Sequence, residues 1–339
     1  MRRRTLVSAS LGLGALAGLA GITGAASALD SSRPGTGLAL YTGSDLAFGT
    51  TVTIKVLHGD ARSAQAAVQD ALRQVRMVDA LMSLYQERSQ VFQLNRHRSV
   101  DAPDRHLLYV LSFAQQLSRL TAGAFDITVQ PLWNAFSAAR SRGTLPAPGQ
   151  IAAARSLVNW RQLEVRQQQV RLHTAGMAIT LNGLAQGYAV DLALAALHAK
   201  GIRHALLDTG EFGAIGSKSP GQSWSLGIAD PRQTDAISAR VKMDGRKVAT
   251  SGDYATVFSA DFVHHHIFDP ASGDSPPELA SVTVAAPTGI LADGLSTAFM
   301  VMGAERAFAL AAQLPDVDLL LIAKNGSIRK TAGFPEPHA

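Results

Sequence analysis

A short segment near the C-terminal end of the chain reads Ala292-Asp293-Gly294-Leu295-Ser296-Thr297-Ala298. Its apolar spacing predicts a helix over 292–302. Asp293 and Thr297 are four residues apart, so both side-chain oxygens project from one face of that helix. A carboxylate and a hydroxyl so placed suit a hard cation such as Mg²⁺, which keeps other positions for phosphate and water. An aspartate cap with a threonine in the first turn would give the same pattern.

A second segment contains two glycines close to the start of a predicted helix. It reads Thr180-Leu181-Asn182-Gly183-Leu184-Ala185-Gln186-Gly187-Tyr188, and Asp191 follows. Such a strand-to-helix turn can bring backbone groups against an anionic ligand or a metal. The segment lacks both the Gly-Lys-Ser/Thr of a Walker A loop and the glycine spacing of a Rossmann fingerprint. A tight turn that binds nothing is the alternative.

A third segment, Gly123 to Leu132, combines an apolar ring with a hydrogen-bond acceptor. Gly123 gives close backbone access, Phe125 an apolar face, and Asp126 an acceptor for a base or ring edge. A helix end that runs into a strand explains the same residues without a ligand.

Three consecutive histidines, His264, His265 and His266, follow the segment Thr250 to Tyr254. Neighbouring residues of a strand point to opposite faces, so at most two of these rings can share a site. The spacing of a Cys₂His₂ zinc site is absent. We therefore expect a single inward histidine that acts in ligand binding.

Taken in order, six segments resemble the ApbE family of FAD:protein FMN transferases over about Ala47 to Gly303. The resemblance implies an α+β, T-fold-like architecture with mixed sheets and packed helices, in one large domain (46–335) that leaves room for subdomains. The segments are 48–50, 82–95, 123–132, 181–191, 250–254 together with 267–273, and 281–303.

The resemblance also implies an activity and a set of site residues. The enzyme would split FAD in a Mg²⁺-dependent reaction, attach FMN through a phosphoester to a Thr or Ser of an acceptor flavoprotein, and release AMP. A FAD pyrophosphatase, or a non-catalytic FAD-binding or delivery protein, would use the same site. The implied metal ligands are Gly183, Asp293 and Thr297, and the implied catalytic residues are His266 and Asp293. The implied contacts to FAD are Phe48, Tyr85, Ala124, Phe125, Asp126, Thr180, Gln186 and Ile267.

Several residues depart from the family pattern. Phe48 stands where Met is usual, and Thr180 and Gln186 replace acidic or charged residues. Asp208-Thr209-Gly210-Glu211 replaces the usual Asn-x-Gly-Gly. The Gly-Glu turn resembles the NosX-like branch, which implies a membrane-associated acceptor similar to NosR.

The N-terminal residues predict export. Arg2-Arg3-Arg4 precede an apolar stretch from Leu11 to Ile22, and Ala26-Ser27-Ala28 offers a cleavage site. We interpret 1–28 as a twin-arginine signal peptide that directs the protein to the periplasm, with a Sec signal as the alternative. Residues 29–45 are rich in Ser, Gly, Pro and Thr, which predicts a linker.

Composition narrows the function classes further. The chain contains 47% hydrophobic and 17% charged residues, which is enough apolar surface for a sizeable core. It contains no cysteine, which excludes disulfides, thiolate metal sites and a lipid-modified N-terminal Cys. The formal charge is +5, and removing the signal peptide would leave +2 with no basic run, so nucleic acid is not an expected partner.

Hydrophobic periodicity predicts the main elements of the domain. Helices are expected over 61–84, after Asp104, over 151–157 and over 187–200, the last one ended by Gly201. Residues 162–172 are expected to form a hairpin. Further strands are expected over 51–56, 204–208, 223–228, 281–284 and 318–323.

Overall fold

The computed structural model describes residues 37–337. Its helices are α1 (Ala61–Met82), α2 (Gln90–His97), α3 (Arg105–Leu120), α4 (Gln130–Arg140), α5 (Pro148–Arg155), α6 (Ala185–Ala199), α7 (Gly289–Met302) and α8 (Ala304–Ala311), with 3₁₀ turns at Ile127–Val129 and Trp160–Gln162. Its strands are β1 (Ala39–Ala47), β2 (Thr50–His58), β3 (Ser99–Asp101), β4 (Leu163–Val165), β5 (Gln169–Leu172), β6 (Ala205–Asp208), β7 (Phe212–Ile215), β8 (Ser217–Ser219), β9 (Gln222–Ser223), β10 (Ser225–Ala229), β11 (Ile237–Lys242), β12 (Lys247–Gly252), β13 (Leu279–Ala286), β14 (Asp318–Ala323) and β15 (Ile328–Lys330).

An eight-stranded antiparallel sheet organises the domain, in the order β1-β2-β6-β7-β12-β13-β14-β15. Helices α1, α6 and α7 pack together on one face of the sheet. The β10–β11 hairpin contributes to a separate apolar cluster on the other face. The α+β architecture expected from the sequence is confirmed.

The two apolar clusters meet the two faces of the same strands. Along β14, Leu319 and Leu321 belong to the helix-side cluster, whereas Leu320 and Ile322 belong to the hairpin-side cluster. Successive strand residues alternate between faces, so a strand covered on both sides has all of its side chains buried. Strand β13, which lies between β12 and β14, is buried along its whole length for this reason.

Helices α6 and α7 approach each other closely where two glycines meet. A Cβ at Gly187 would fall inside van der Waals contact of the Gly289 carbonyl oxygen, and a Cβ at Gly289 would collide with the carbonyl of Gly187 in return. Asp191 of α6 then accepts hydrogen bonds from the backbone N–H groups of Gly289 and Ile290, at 2.7 and 3.0 Å. These contacts fix the beginning of α7, and with it the positions of Asp293 and Thr297.

The Asp191→Ala variant is expected to lower the free energy of unfolding by about 1–2 kcal/mol. It leaves two N–H groups at the start of α7 without their side-chain acceptor. Urea denaturation measures the change. The Asp60→Ala variant is the matched control, because Asp60 is an exposed cap that accepts from Ser63 N–H alone at the start of α1. If Asp191→Ala lost no more unfolding free energy than Asp60→Ala, the contact of Asp191 with the start of α7 would have no special role in stability.

The structure corrects three of the element predictions. The predicted linker 29–45 is wrong over 39–45, because these residues belong to β1, which pairs with β2 along its whole length and so satisfies its backbone groups. Helix α7 begins at Gly289 and is capped by Thr288, so Asp293 is not a cap residue. The strand expected over 223–228 is interrupted at Trp224.

Other predictions are confirmed by the described residues. Asp104 caps α3, and Gly201, just after α6, adopts φ +76°. The predicted signal peptide, 1–28, lies outside the described residues. Among residues 37–337, the helices are all too short or too polar to cross a bilayer.

Candidate functional site

A cavity of about 330 Å³ opens where α6, α7, β12 and the loop before α4 meet. Eleven of the twelve predicted site residues line it: Tyr85, Ala124, Phe125, Asp126, Thr180, Gly183, Gln186, His266, Ile267, Asp293 and Thr297. The segments that carry them are far apart in the sequence, so the fold brings together what the motifs predicted separately.

Phe48 is the predicted site residue that does not line the cavity. It lies in the β1–β2 turn at φ +54°, packs against the helix-side core and donates its N–H to Asp79 Oδ1 at 3.0 Å. Asp79 Oδ2 in turn accepts from the side chain of Gln86, the residue after Tyr85. In this structure Phe48 therefore belongs to the support of the loop that carries Tyr85.

The three predicted metal ligands converge at one end of the cavity. A Cβ at Gly183 would lie 2.9 Å from Thr297 Oγ1, so only glycine brings this backbone so near the hydroxyl. Thr297 lies one turn after Asp293 on α7, and its hydroxyl is 3.2 Å from Ser251 Oγ. A carboxylate, a hydroxyl and a backbone carbonyl form a set of hard oxygen donors, which is the chemistry that Mg²⁺ prefers.

Asp293 is a buried carboxylate, with 3% of its surface exposed. Its Oδ2 accepts a hydrogen bond from Gly187 N–H at 2.9 Å, and within residues 37–337 Oδ1 has no hydrogen-bond partner. Burial raises the pKa of Asp293 to about 7, and the nearby charge of Asp191 acts in the same direction. A bound cation would favour the ionised form. The residues present therefore fit a divalent cation.

The candidate cation site offers few protein ligands. Among the described residues, no group of three or more His, Asp or Glu side chains is placed to hold a metal ion. Mg²⁺ commonly uses one or two carboxylates and completes its coordination with water and substrate phosphate. A cation at this site would therefore leave coordination positions to water and to a phosphate-containing ligand.

Asp126 holds another part of the cavity wall. Its Oδ1 accepts from the N–H and the hydroxyl of Thr128 at 2.8 and 2.6 Å, and its Oδ2 accepts from Trp160 N–H at 3.0 Å. Burial raises the pKa of Asp126, and these hydrogen bonds oppose that shift. Both oxygens are engaged within the protein, so Asp126 also fixes the loop that presents Phe125 to the cavity.

The three histidines have three different environments. His264 Nδ1 lies 2.7 Å from Asp274 Oδ1, away from the cavity wall. His265 is fully buried, and its Nε2 lies 3.4 Å from the Pro276 carbonyl oxygen. His266 lines the cavity, and within the described chain its buried Nδ1 has no hydrogen-bond partner. The expectation that one of the three faces the ligand agrees with this arrangement.

Protein stability is expected to fall as the pH falls from about 6.5 to 3, because His265 is buried as the neutral ring. Burial lowers the pKa of His265 to about 3, so the unfolded chain binds a proton in this window and the folded chain does not. His265 contributes at most about 1.4 kcal/mol per pH unit to the slope of the unfolding free energy against pH.

Urea denaturation of His265→Gln across this pH range measures that contribution. The unfolding free energy of the variant is expected to depend less steeply on pH than that of the parent chain. His198→Gln is the control, because His198 is exposed on α6 and its ring stays in water. Parallel curves for the parent chain and His265→Gln would contradict the prediction.

Several residues of the cavity wall have no predicted role in the site. They include Trp133, Ser251, Tyr254 and Glu211. The sequence shows Glu211 only as a residue that replaces the second glycine of a Gly-Gly pair. Its position near Asp293 follows from the tertiary structure. Its Oε2 accepts from Thr250 N–H at 3.1 Å, and burial together with the charge of Asp293 raises the pKa of Glu211 well above its usual range.

The family assignment follows from this geometry and from sequence similarity. The ApbE family model matches residues 48–321, a range that contains all six segments that carry the resemblance. The chain belongs to the ApbE family. A Vibrio cholerae relative named FAD:protein FMN transferase is 30% identical over 288 residues, covering 81% of this chain and 85% of its own. A Salmonella typhimurium relative with the same name is 32% identical over 275 residues, covering 76% and 77%.

Solved structures of the family show the same architecture. The ApbE protein from Thermotoga maritima superposes with a TM-score of 0.77 at 29% identity, covering 86% of this chain and 97% of its own. The fold of this chain is therefore that of an ApbE-family domain.

Proposed function

We propose that this protein is a Mg²⁺-dependent FAD:protein FMN transferase. The observation that carries the proposal is the convergence of Asp293, Thr297 and Gly183 at one end of the cavity. The family assignment supports it, because the relatives from Vibrio cholerae and Salmonella typhimurium carry that name. The proposed reaction joins an acceptor Thr or Ser oxygen to the FMN phosphorus of FAD, breaks the pyrophosphate bond and releases AMP.

The proposed metal ligands are Asp293 Oδ1, Thr297 Oγ1 and the Gly183 carbonyl oxygen. A bound Mg²⁺ would neutralise charge on the FAD phosphates. The protein supports this set in two ways: Gly187 N–H holds the other oxygen of Asp293, and Ser251 Oγ lies within hydrogen-bond distance of Ser296 and Thr297. These contacts orient the carboxylate and the hydroxyl before a ligand binds.

His266 is the proposed proton-transfer residue. Burial lowers the pKa of His266, which keeps its ring neutral at neutral pH. A neutral imidazole on the wall of the cavity can accept the proton that the acceptor hydroxyl loses. The His266→Ala variant is expected to reduce the rate constant of transfer while FAD still binds, whereas a purely structural role would also change FAD binding.

The direct test combines the purified protein, FAD, Mg²⁺ and a flavoprotein acceptor produced without any transferase. Covalent transfer is read as a fluorescent acceptor band on a denaturing gel, and AMP is quantified in parallel. A fluorescent band together with stoichiometric AMP supports the transferase. AMP without a band would indicate a pyrophosphatase, and tight FAD binding with neither product would indicate a binding or delivery protein.

We further propose that the protein acts in the periplasm on a membrane-associated acceptor. Support comes from the N-terminal sequence, which has the pattern of an export signal, and from the Gly210-Glu211 turn, which resembles the corresponding turn of the NosX-like branch. An acceptor similar to NosR is the specific candidate.

Export is expected to stop when Arg2 and Arg3 are both changed to lysine, because the twin-arginine route requires the arginine pair. Cell fractionation followed by immunoblotting measures the periplasmic share of the protein. Unchanged accumulation in the periplasm would contradict this route and leave a Sec signal. A strain lacking the twin-arginine translocase provides the control.

A further inference from the structure

Glu211 places a second carboxylate on the wall of the cavity that contains Asp293. It lies just before β7, and 9% of its surface is exposed. Its Oε2 accepts from Thr250 N–H at 3.1 Å, and within residues 37–337 Oε1 has no hydrogen-bond partner. One oxygen therefore anchors the side chain to β12 and leaves the other available to a ligand.

The first turn of α6 contacts both the Asp293 carboxylate and the turn that carries Glu211. The side-chain amide of Gln186 donates to the carbonyl of Thr209, in the turn that carries Glu211. The next residue along the helix, Gly187, donates its N–H to Asp293 Oδ2. Adjacent residues of one helix thus contact the turn that carries Glu211 and the carboxylate of Asp293, and the two acidic groups are close enough for their charges to interact.

Within residues 37–337, no cationic side chain forms an ion pair with either carboxylate. Among the described residues, the ion pairs of the structure include neither Glu211 nor Asp293. Asp253, a fully buried acid next to the same cavity, is paired: both of its oxygens accept from the Arg232 guanidinium, at 2.7 and 2.8 Å. Two adjacent buried carboxylates without such a partner are stable only with a cation or a proton between them.

We propose that Glu211 is a further ligand, directly or through one water, of the divalent cation held by Asp293, Thr297 and the Gly183 carbonyl. The inference rests on the cation of the proposed function. Oxygen donors with two negative charges suit Mg²⁺, which commonly uses one or two carboxylates. Glu211 would raise the affinity for the cation and hold it against the wall formed by β7 and β12.

The test measures binding of Mn²⁺ alone to the full mature chain, by electron paramagnetic resonance of the free ion. Glu211→Gln keeps the shape of the side chain and an acceptor for Thr250 N–H, but removes the charge. We expect it to weaken Mn²⁺ binding about tenfold or more, with a urea midpoint no lower than that of the parent chain. Glu211→Asp keeps the charge on a shorter side chain and serves as a second variant if Glu211→Gln does not fold; it is expected to bind Mn²⁺ more weakly than the parent chain.

Asp208→Asn is the matched control. Asp208 also lines the cavity, and its Oδ1 accepts from Gly210 N–H at 3.0 Å. Removing its charge should weaken Mn²⁺ binding by less than about threefold, because it acts only through long-range electrostatics. Equal effects of Asp208→Asn and Glu211→Gln would overturn ligation by Glu211.

The remaining outcomes separate this inference from the proposed function. Unchanged Mn²⁺ affinity in Glu211→Gln would overturn the inference and leave a shared proton between the carboxylates. Failure of the parent chain to bind Mn²⁺ would overturn both the inference and the proposed cation. FMN transfer in the gel assay, with and without a chelator, tests the transferase activity independently of Glu211.

Discussion

The Asp293→Ala variant is expected to lose FMN transfer by about 10²- to 10³-fold or more. The substitution removes the single carboxylate among the three proposed metal ligands, and with it the negative charge that binds the cation next to the FAD phosphates. The gel assay for covalent FMN, run at saturating Mg²⁺ and FAD, measures the loss. Near-normal transfer would contradict the assignment of the metal site.

The fold of Asp293→Ala is expected to remain intact. The variant loses the acceptor for Gly187 N–H, which costs about 1–3 kcal/mol when a buried donor is left unpaired. It also removes a buried acid whose pKa is raised by desolvation, which offsets part of that cost. Asp293→Asn is the matched control, because it keeps an acceptor for Gly187 without the charge. Both variants should be inactive, and Asn should be the more stable of the two.

The Gly187→Ala variant is expected to lose about 2 kcal/mol or more of unfolding free energy and most of its transfer activity. Helix propensity alone favours alanine over glycine by about 1 kcal/mol. The added Cβ would collide with the Gly289 carbonyl and lie 2.7 Å from Asp293 Cβ. Because a backbone carbonyl cannot rotate away, α7 must shift and carry Asp293 and Thr297 with it.

Gly149→Ala provides the matched control for this prediction. Gly149 lies in α5, and a Cβ there would meet no atom within 4 Å. Its substitution is expected to raise the free energy of unfolding by about 0.5–1 kcal/mol and to leave transfer unchanged. A similar gain for Gly187→Ala would show that α6 and α7 do not approach as closely as described. Urea denaturation and the gel assay measure the two effects.

Local patterns predicted most of the helices and the long strands. The apolar spacing of α1 and α3 is encoded by residues three and four apart, and caps such as Asp104 act on their own backbone neighbours. The prediction failed for β1, where Gly43, Ser44 and Asp45 gave no strand pattern. This strand exists because its backbone pairs with β2, a contact that composition does not reveal.

The sequence by itself determined the chemical identity of the site: a carboxylate and a hydroxyl four residues apart on a helix, and a glycine turn able to approach them. Only the tertiary structure decided that these groups meet, that Phe48 supports a loop outside the cavity wall, and that Glu211 stands beside Asp293. The physical reason is the distance along the chain over which each kind of interaction acts. Helix periodicity and capping act between neighbours in the chain, whereas the α6–α7 contact and the order of the sheet depend on close packing between segments distant in sequence.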